Sequence, residues 1–272
     1  MENNPKVLEA LSKELKRSAL TSIFYAGSGH PGSVLSVMDV LTVLFFGGFL
    51  KYDPQKPEWE DRDYFILSNG HACPALYAVL AKAGFFSEEE LNHLREFGYG
   101  AQGHPKKGSL LGIETTAGSL GQGLSVGIGL AIALKHEGKD NRVYVMMSDG
   151  EQEEGSTWEA IMSAPKFKLN NLVAIIDENQ YQIDGATKEI MPTLNPIAQK
   201  YQAFGWNIIE MNGHNFEEII GALENLKTIE GPVAIISHTI RGKGVSFMEG
   251  SLHWHGSGIK EDEYKKLMEE LS

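Results

Sequence analysis

Val143–Tyr181 reads VYVMMSDGEQEEGSTWEAIMSAPKFKLNNLVAIIDENQY, and its pattern decides the fold class. Two short apolar, β-prone runs, VYVMM and LVAII, flank a segment of helix length, the signature of a βαβ unit with parallel strands. The first run ends at Ser148-Asp149-Gly150 and the second at Asp177-Glu178-Asn179. Ligands of parallel sheets bind beyond the carboxyl ends of the strands, so Asp149 and Asn179 are expected to face one crevice although thirty positions separate them. Asp149 offers a hard anionic oxygen, Asn179 a neutral one, and the backbone carbonyl just after Asn179 a third. Such a set suits Mg²⁺ (with Ca²⁺ or Mn²⁺ as substitutes) holding a diphosphate, because hard cations complete their shells with water and phosphate oxygens. Gly150 lets a phosphate oxygen approach the backbone with no Cβ in the way. On Asp-Gly alone, an ordinary βαβ unit with a polar turn is the better reading. The rest of the chain shifts the balance.

The chain has 272 residues, enough for one large α/β domain or two small ones. Its formal net charge of −12 argues against nucleic-acid binding, which needs Lys and Arg to neutralise phosphates, and against an anionic membrane surface. A single cysteine, Cys73, permits no internal disulfide, fits a reducing compartment and reads as structural. The N-terminal stretch ENNPKVLEALSKELKRSALTSIFYA has helical apolar spacing and mixed charges, unlike a signal peptide. Val34 to Leu50 is the most apolar segment, yet Asp39 and two glycines interrupt it, so a buried helix is expected and not a membrane span. A cytoplasmic location follows as the expectation.

Several turns present chemistry. AGSGHPGS, Ala26 to Ser33, is a tight loop presenting His30 and Ser33, with Ser33 near the start of a helix that runs to Phe46. YFIL reads as a strand, SNGH as a turn presenting His71, and Cys73 to Ala83 as a helix with Pro74 in its first turn. SEEELNHLREFG reads as a polar helix with a capping box, Ser87 as N-cap and Glu90 three residues on. QGHP presents His104 in the second Gly-His-Pro of the chain. AGSLGQG feeds a small-residue helix, Leu124 to Leu134, able to pack closely within the domain or against another protomer. YQIDGAT is a turn-rich loop; WNIIEMNGH and VAIISHT are two further strands around a helix at Phe216 to Leu226. His253 and His255 stand two apart near the end, without a cysteine or HExxH context for zinc. The continuing βαβ rhythm favours an α/β fold with a mostly parallel central sheet flanked by helices, one domain over residues 1–272.

Ser148-Asp149-Gly150 followed by Asn179 resembles the thiamine-diphosphate fingerprint, Gly-Asp-Gly and then Asn about thirty residues on, with Ser148 in place of the first Gly and Gln180 in place of a second Asn. SGHPGS, LSNGH, GHP, TTAGSLGQG, IDGAT and the final WHG complete a series that resembles the transketolase family, in the same order and over nearly the whole chain. The match is to the N-terminal, diphosphate-binding half, so the chain resembles the smaller subunit of a split, two-chain transketolase. The resemblance implies the fold of a thiamine-diphosphate-binding domain. It implies that Asp149, Asn179 and the main-chain carbonyl of Tyr181 hold Mg²⁺, and that Gly150, His71 and His255 contact the diphosphate with Ser33 nearby. Gly118, Ser119 and Leu120 would line the other end of the cofactor, and Arg241 would lie near it. His30, His71, His104 and His255 would line the substrate channel and exchange protons, a task for groups titrating near neutrality. Glu154 matches a glutamate linking two active sites across a dimer. The implied reaction moves a two-carbon ketol unit from a ketose phosphate to an aldose phosphate. The implied partner is a chain carrying the pyrimidine-binding domain, with its activating glutamate and phosphate-binding arginines, two copies of each chain assembling. A component of a 2-oxo-acid dehydrogenase, a deoxyxylulose-phosphate synthase, a ketol transferase for unusual sugars and a non-catalytic relative are the rivals. The paired Gly-His-Pro turns and the WHG end favour transketolase over the first two.

Overall fold

The computed structural model describes residues 3–272. Helix α1 (Pro5–Ala26) begins where the Asn4 side chain accepts the Lys6 N–H at 3.1 Å and ends at Gly27, whose φ of 63° needs a residue without Cβ. There follow α2 (Pro31–Phe46), β1 (Tyr64–Leu67), α3 (Cys73–Ala83), α4 (Gly123–His136), β2 (Val143–Ser148), α5 (Gly155–Lys166) and β3 (Leu172–Glu178). The chain closes with α6 (Thr187–Ile190), α7 (Ile197–Ala203), β4 (Asn207–Asn212), α8 (Phe216–Asn225), β5 (Val233–His238) and α9 (Glu261–Glu270).

All five strands are parallel, in the order β1-β2-β3-β5-β4. Side chains alternate between two packed faces. Phe65, Leu67, Tyr144, Met146 and Ile175 meet α1, α2, α3 and α8 on one face. Ile66, Val145, Met147, Ala174 and Ile176 meet α4, α5 and α7 on the other. Burial on both faces explains why these strands read as continuous apolar runs and not as alternating ones. Each fully buried Leu, Ile or Val contributes roughly 1.5–3 kcal/mol to this three-layer core. Every residue of α2 is buried, which accounts for its unbroken apolarity.

One local expectation is met and another is overturned. The small residues of α4 serve packing within the chain, since a Cβ on Gly127 would lie 2.5 Å from Val145 Cγ2. Its other face, with open space at Gly129 and an exposed Val126, remains uncovered. The polar helix after Ser87 is only a 3-10 stretch, Glu88–His93. Ser87 Oγ accepts the Glu89 N–H at 3.3 Å, but Glu90 Oε1 takes the N–H of Gly100 at 2.5 Å, so no capping box forms. A tertiary partner outcompetes the local one. Cys73 is buried, donates towards the Gly103 carbonyl at 3.2 Å, and burial pushes its thiol up to about 12, as befits a structural residue. Among the described residues no helix is long and apolar enough to cross a membrane.

Candidate functional site

The parallel register sets Ser148 beside Asp177, so the turns after β2 and β3 leave the sheet together. Beyond them lies a cavity of about 230 Å³. His30, His71 and His255 line it from three different turns, with Gly118 and Leu120. Asp149, Gly150, Asn179, Tyr181 and Arg241 also line it. The three imidazoles cluster, with ring centroids 5.2 Å apart for His30 and His71, 5.6 Å for His30 and His255, and 5.7 Å for His71 and His255. The Ser257 N–H donates to Gly29 O at 3.0 Å and ties two of these turns together.

Four sequence-derived candidates lie outside the cavity lining. His104 is exposed, near enough to Gly118 that a Cβ there would meet its ring at 3.7 Å. Ser119 is exposed. Ser33 is the third residue of α2, buried, and its Oγ has no hydrogen-bond partner. Glu154 is exposed at the start of α5, where its side chain caps nothing. It packs against the glycine-rich loop, since a Cβ on Gly121 would sit 2.5 Å from Glu154 Cβ.

The oxygen donors are held by a buried network. Asp149 Oδ1 accepts the Gly150 N–H and Oδ2 the Gln180 N–H, each at 2.8 Å. Gln180 adopts φ 66°, a left-handed turn uncommon outside glycine and asparagine. Asn179 Nδ2 donates to Asp177 Oδ2 at 2.9 Å, which fixes the amide with Oδ1 accepting from the Tyr181 N–H at 3.1 Å. Asp177 is itself held by Ser36 Oγ at 2.7 Å and Thr239 Oγ1 at 2.5 Å. Arg241, 1% exposed, donates from Nη2 to the Tyr181 carbonyl at 2.7 Å, while its Nε has no partner.

Electrostatics follow from burial. Asp149 is pushed up to about 7, first by burial and then by the Asp177 carboxylate, against the pull of the Gly150 and Gln180 N–H groups and Arg241. Burial, with Arg95, His104 and Arg241 adding, lowers His30 to about 4; burial, Arg241 and His30 lower His255 to about 3. His71 lies well below its ordinary value for the same first reason, and His104 is lowered by burial and Arg95. The histidines are therefore neutral at pH 7, lower than the near-neutral poise expected from their sequence role. An anion placed among them would raise them again.

Two buried carboxylates facing one buried guanidinium leave room for a cation. Among the described residues no three or more His, Cys, Asp or Glu side chains group as a metal site. One carboxylate, one amide and one carbonyl oxygen form the donor set of a hard cation that shares phosphate oxygens. The buried, unpartnered His30 Nδ1, His255 Nδ1 and Arg241 Nε fit a guest carrying its own anionic acceptors.

Sequence reasoning passed over several residues. Gln182 and Ile183 line the cavity. Asp177 orients Asn179, and a carboxylate ending an apolar strand was the available signal. Glu151 is fully buried, accepts from Ser68 Oγ, from Gly121 N at 2.8 Å and from Ser148 N at 3.3 Å, and is pushed up to about 7 by burial. Nothing in GEQEEG distinguishes it from its acidic neighbours.

A family model described as transketolase, thiamine diphosphate binding domain, matches residues 9–272. The chain is 42% identical over 268 residues to a subunit of the apulose-4-phosphate transketolase of Phocaeicola vulgatus, covering 98% of this chain and 94% of that protein. It is 41% identical over 265 residues to the 6-deoxy-6-sulfo-D-fructose transketolase subunit SqwG of a Clostridium species, covering 97% and 96%. Transketolase from Leishmania mexicana superposes with a TM-score of 0.92 at 33% identity, covering 97% of this chain and 41% of that one. The chain thus spans about two fifths of the solved transketolases it matches. By sequence and by fold, the chain belongs to the transketolase family, as its thiamine diphosphate binding domain.

Proposed function

We propose that this chain is the diphosphate-side subunit of a two-chain transketolase, transferring a two-carbon ketol unit from a ketose phosphate to an aldose phosphate with Mg²⁺ and a second chain. The observation that carries the proposal is the single cavity in which Asp149, Asn179, the Tyr181 carbonyl, Arg241 and three neutral histidines converge. Thiamine diphosphate, when bound, supplies the nucleophilic carbon and electron sink for breaking and making the carbon–carbon bond. Asp149, Asn179 and the Tyr181 carbonyl would hold Mg²⁺ (or Ca²⁺ or Mn²⁺). Gly150, His71 and His255 would face the diphosphate with Ser33 behind them, and Gly118, Ser119 and Leu120 the cofactor's other end. Arg241 secures the Tyr181 carbonyl through its Nη2 hydrogen bond. His30, His71, His104 and His255 would bind sugar hydroxyls, and a neutral ring nitrogen facing the cavity can take a hydroxyl proton and return it. Low basicity keeps the rings from holding that proton long.

The partner would carry the pyrimidine-binding domain, with two copies of each chain and Glu154 linking the sites, in cytoplasmic carbohydrate metabolism. The names of the Phocaeicola and Clostridium relatives, which are subunits, support a partner chain. They also favour a second reading of the substrate, since both name sugars outside the xylulose 5-phosphate and ribose 5-phosphate pair. The test is to purify the tagged chain with its partner and assay ketol transfer with thiamine diphosphate and Mg²⁺ over a panel of donors. Transfer requiring both chains supports the proposal, and the best donor separates the two readings. Full activity of this chain alone, or a cofactor-free complex, refutes it.

A further inference from the structure

Outside the cavity, one cation stands between two histidine turns. Arg95 has φ 64°, in the left-handed region that side chains rarely adopt, and its N–H donates to Ala101 O at 2.8 Å. Its Nη1 donates to Ser28 Oγ at 2.9 Å, two residues before His30. A Cβ on Gly103, the neighbour of His104, would lie 3.1 Å from Arg95 Nε. The guanidinium therefore touches both the turn that carries His30 and the turn that carries His104. Its positive charge reaches both rings, helping to lower each. A guanidinium has five N–H donors; among the described residues, only Nη1 is engaged, and no carboxylate pairs with it.

Beside Arg95 opens a hollow of about 510 Å³ lined also by Tyr99, Gln102, Lys106 and Ser109. Glu96 borders the same hollow but is engaged with His93 at 2.6 Å. Lys106 has no ion pair among the described residues, so two cations stand against the one Glu96 carboxylate in this hollow of a chain whose net charge is −12. An acidic protein repels an anionic substrate at long range, and local cations beside the turns of His30 and His104 weaken that repulsion there. Asp149, Arg241, His30, His71 and His255 line the cavity, and the exposed His104 and Arg95 lie beside that lining, Arg95 touching the turns of His30 and His104. A planar guanidinium fork matches phosphate oxygens two at a time.

The geometry points to Arg95, supported by Lys106, as a specificity-determining residue that binds the phosphate at the far end of the sugar while the reacting end lies among the histidines. This rests on the ketol-transfer reading above, and adds to the partner's arginines a phosphate reader on this chain.

The test uses the complex of this chain with its partner chain, loaded with thiamine diphosphate and Mg²⁺. Two donors are compared, xylulose 5-phosphate and the uncharged ketose erythrulose. Arg95→Gln lowers kcat/KM for the phosphorylated donor about 10- to 100-fold, chiefly through KM, as expected for a lost hydrogen bond to a charged group. The loss with erythrulose is far smaller, and Arg95→Lys restores part of the phosphate preference. Lys106→Gln, which removes no contact to either histidine turn, gives a smaller loss confined to xylulose 5-phosphate. Ser28→Ala releases the clasp without removing the charge and stays near wild type with both donors. Equal losses on both donors, reproduced by Ser28→Ala, would show Arg95 to be only a clasp and overturn the proposal, as would undiminished use of xylulose 5-phosphate by Arg95→Gln. A wild-type complex inactive with every donor of the panel above instead sinks the ketol-transfer reading itself.

Discussion

Replacing Asp39 by alanine is expected to remove a large share of this chain's stability and to loosen its cofactor site through one intermediary. Asp39 lies on α2, 3% exposed, and accepts from Ser12 Oγ at 2.5 Å, Lys16 Nζ at 2.8 Å and His214 Nδ1 at 2.8 Å. Burial opposes its charge, yet Lys16 and His214 outweigh burial and hold the carboxyl below its ordinary value. Asp39→Ala strands the Lys16 ammonium, itself only 7% exposed, without a counter-ion. Breaking a buried pair in this way costs about 3–5 kcal/mol, and an unpartnered His214 N–H adds about 1 kcal/mol. Against a usual domain stability of roughly 5–15 kcal/mol, that is a severe loss.

The double variant Lys16→Met/Asp39→Ala removes the stranded charge. Only the His214 and Ser12 donors and a small void remain, on the order of 2 kcal/mol, so the second change should restore about 2–4 kcal/mol. Urea unfolding followed by far-UV circular dichroism reads this directly. Cofactor affinity should behave differently. His214 Nε2 accepts the Ile240 N–H at 2.9 Å, and Ile240 precedes Arg241, whose guanidinium holds the Tyr181 carbonyl. Both variants lose the anchor of His214, so both should bind thiamine diphosphate weakly in calorimetric titration. A double variant no more stable than Asp39→Ala would refute the stranded-charge argument. Full recovery of cofactor binding in the double would refute the link through His214.

Glu151→Ala should cost on the order of 2–4 kcal/mol in thermal or urea unfolding, because the N–H groups of Gly121 and Ser148 and the Ser68 hydroxyl lose a fully buried acceptor. Glu151→Gln, which keeps one acceptor oxygen, should cost less; equal losses would contradict this account. Asp149→Asn should abolish Mg²⁺-dependent cofactor binding yet leave the ligand-free chain as stable or more so above about pH 7, since it removes a carboxylate that burial pushes up to about 7. Marked destabilisation at alkaline pH would count against it. His30 and His255 have folded values of about 4 and about 3 against an ordinary 6.5, so below pH 6.5 the unfolded chain takes up protons the folded chain refuses. Their contribution to stability is present above pH 6.5 and is lost as pH falls towards 4. Urea midpoints at about pH 7.5 and about pH 5 should differ, and less so in His30→Asn/His255→Asn; an unaltered difference would rule these two out as its source.

Much of this fold was legible because its signals are local. Strands buried on both faces must be continuous apolar runs, so VYVMM and LVAII mark β2 and β3 without help from the rest of the chain. Asp149 and Asn179 followed from the rule that strand ends share a crevice. Several of the misread or missed residues have partners far away in sequence. Glu90 abandons a local cap for Gly100, ten positions away; Glu151 reaches Ser68 across 83 positions; His214 reaches Asp39 across 175. Such pairs have no period, and within GEQEEG only tertiary structure decides that Glu151 turns inward while Glu154 stays exposed. The same division separates the candidate site into two sets. Asp149, Asn179, Tyr181 and Arg241 are locked by buried bonds made within this chain. His104, Ser119 and Glu154 are exposed. A rigid cradle for an anion beside an open rim is the arrangement a shared active site requires, with the second surface brought by the proposed partner.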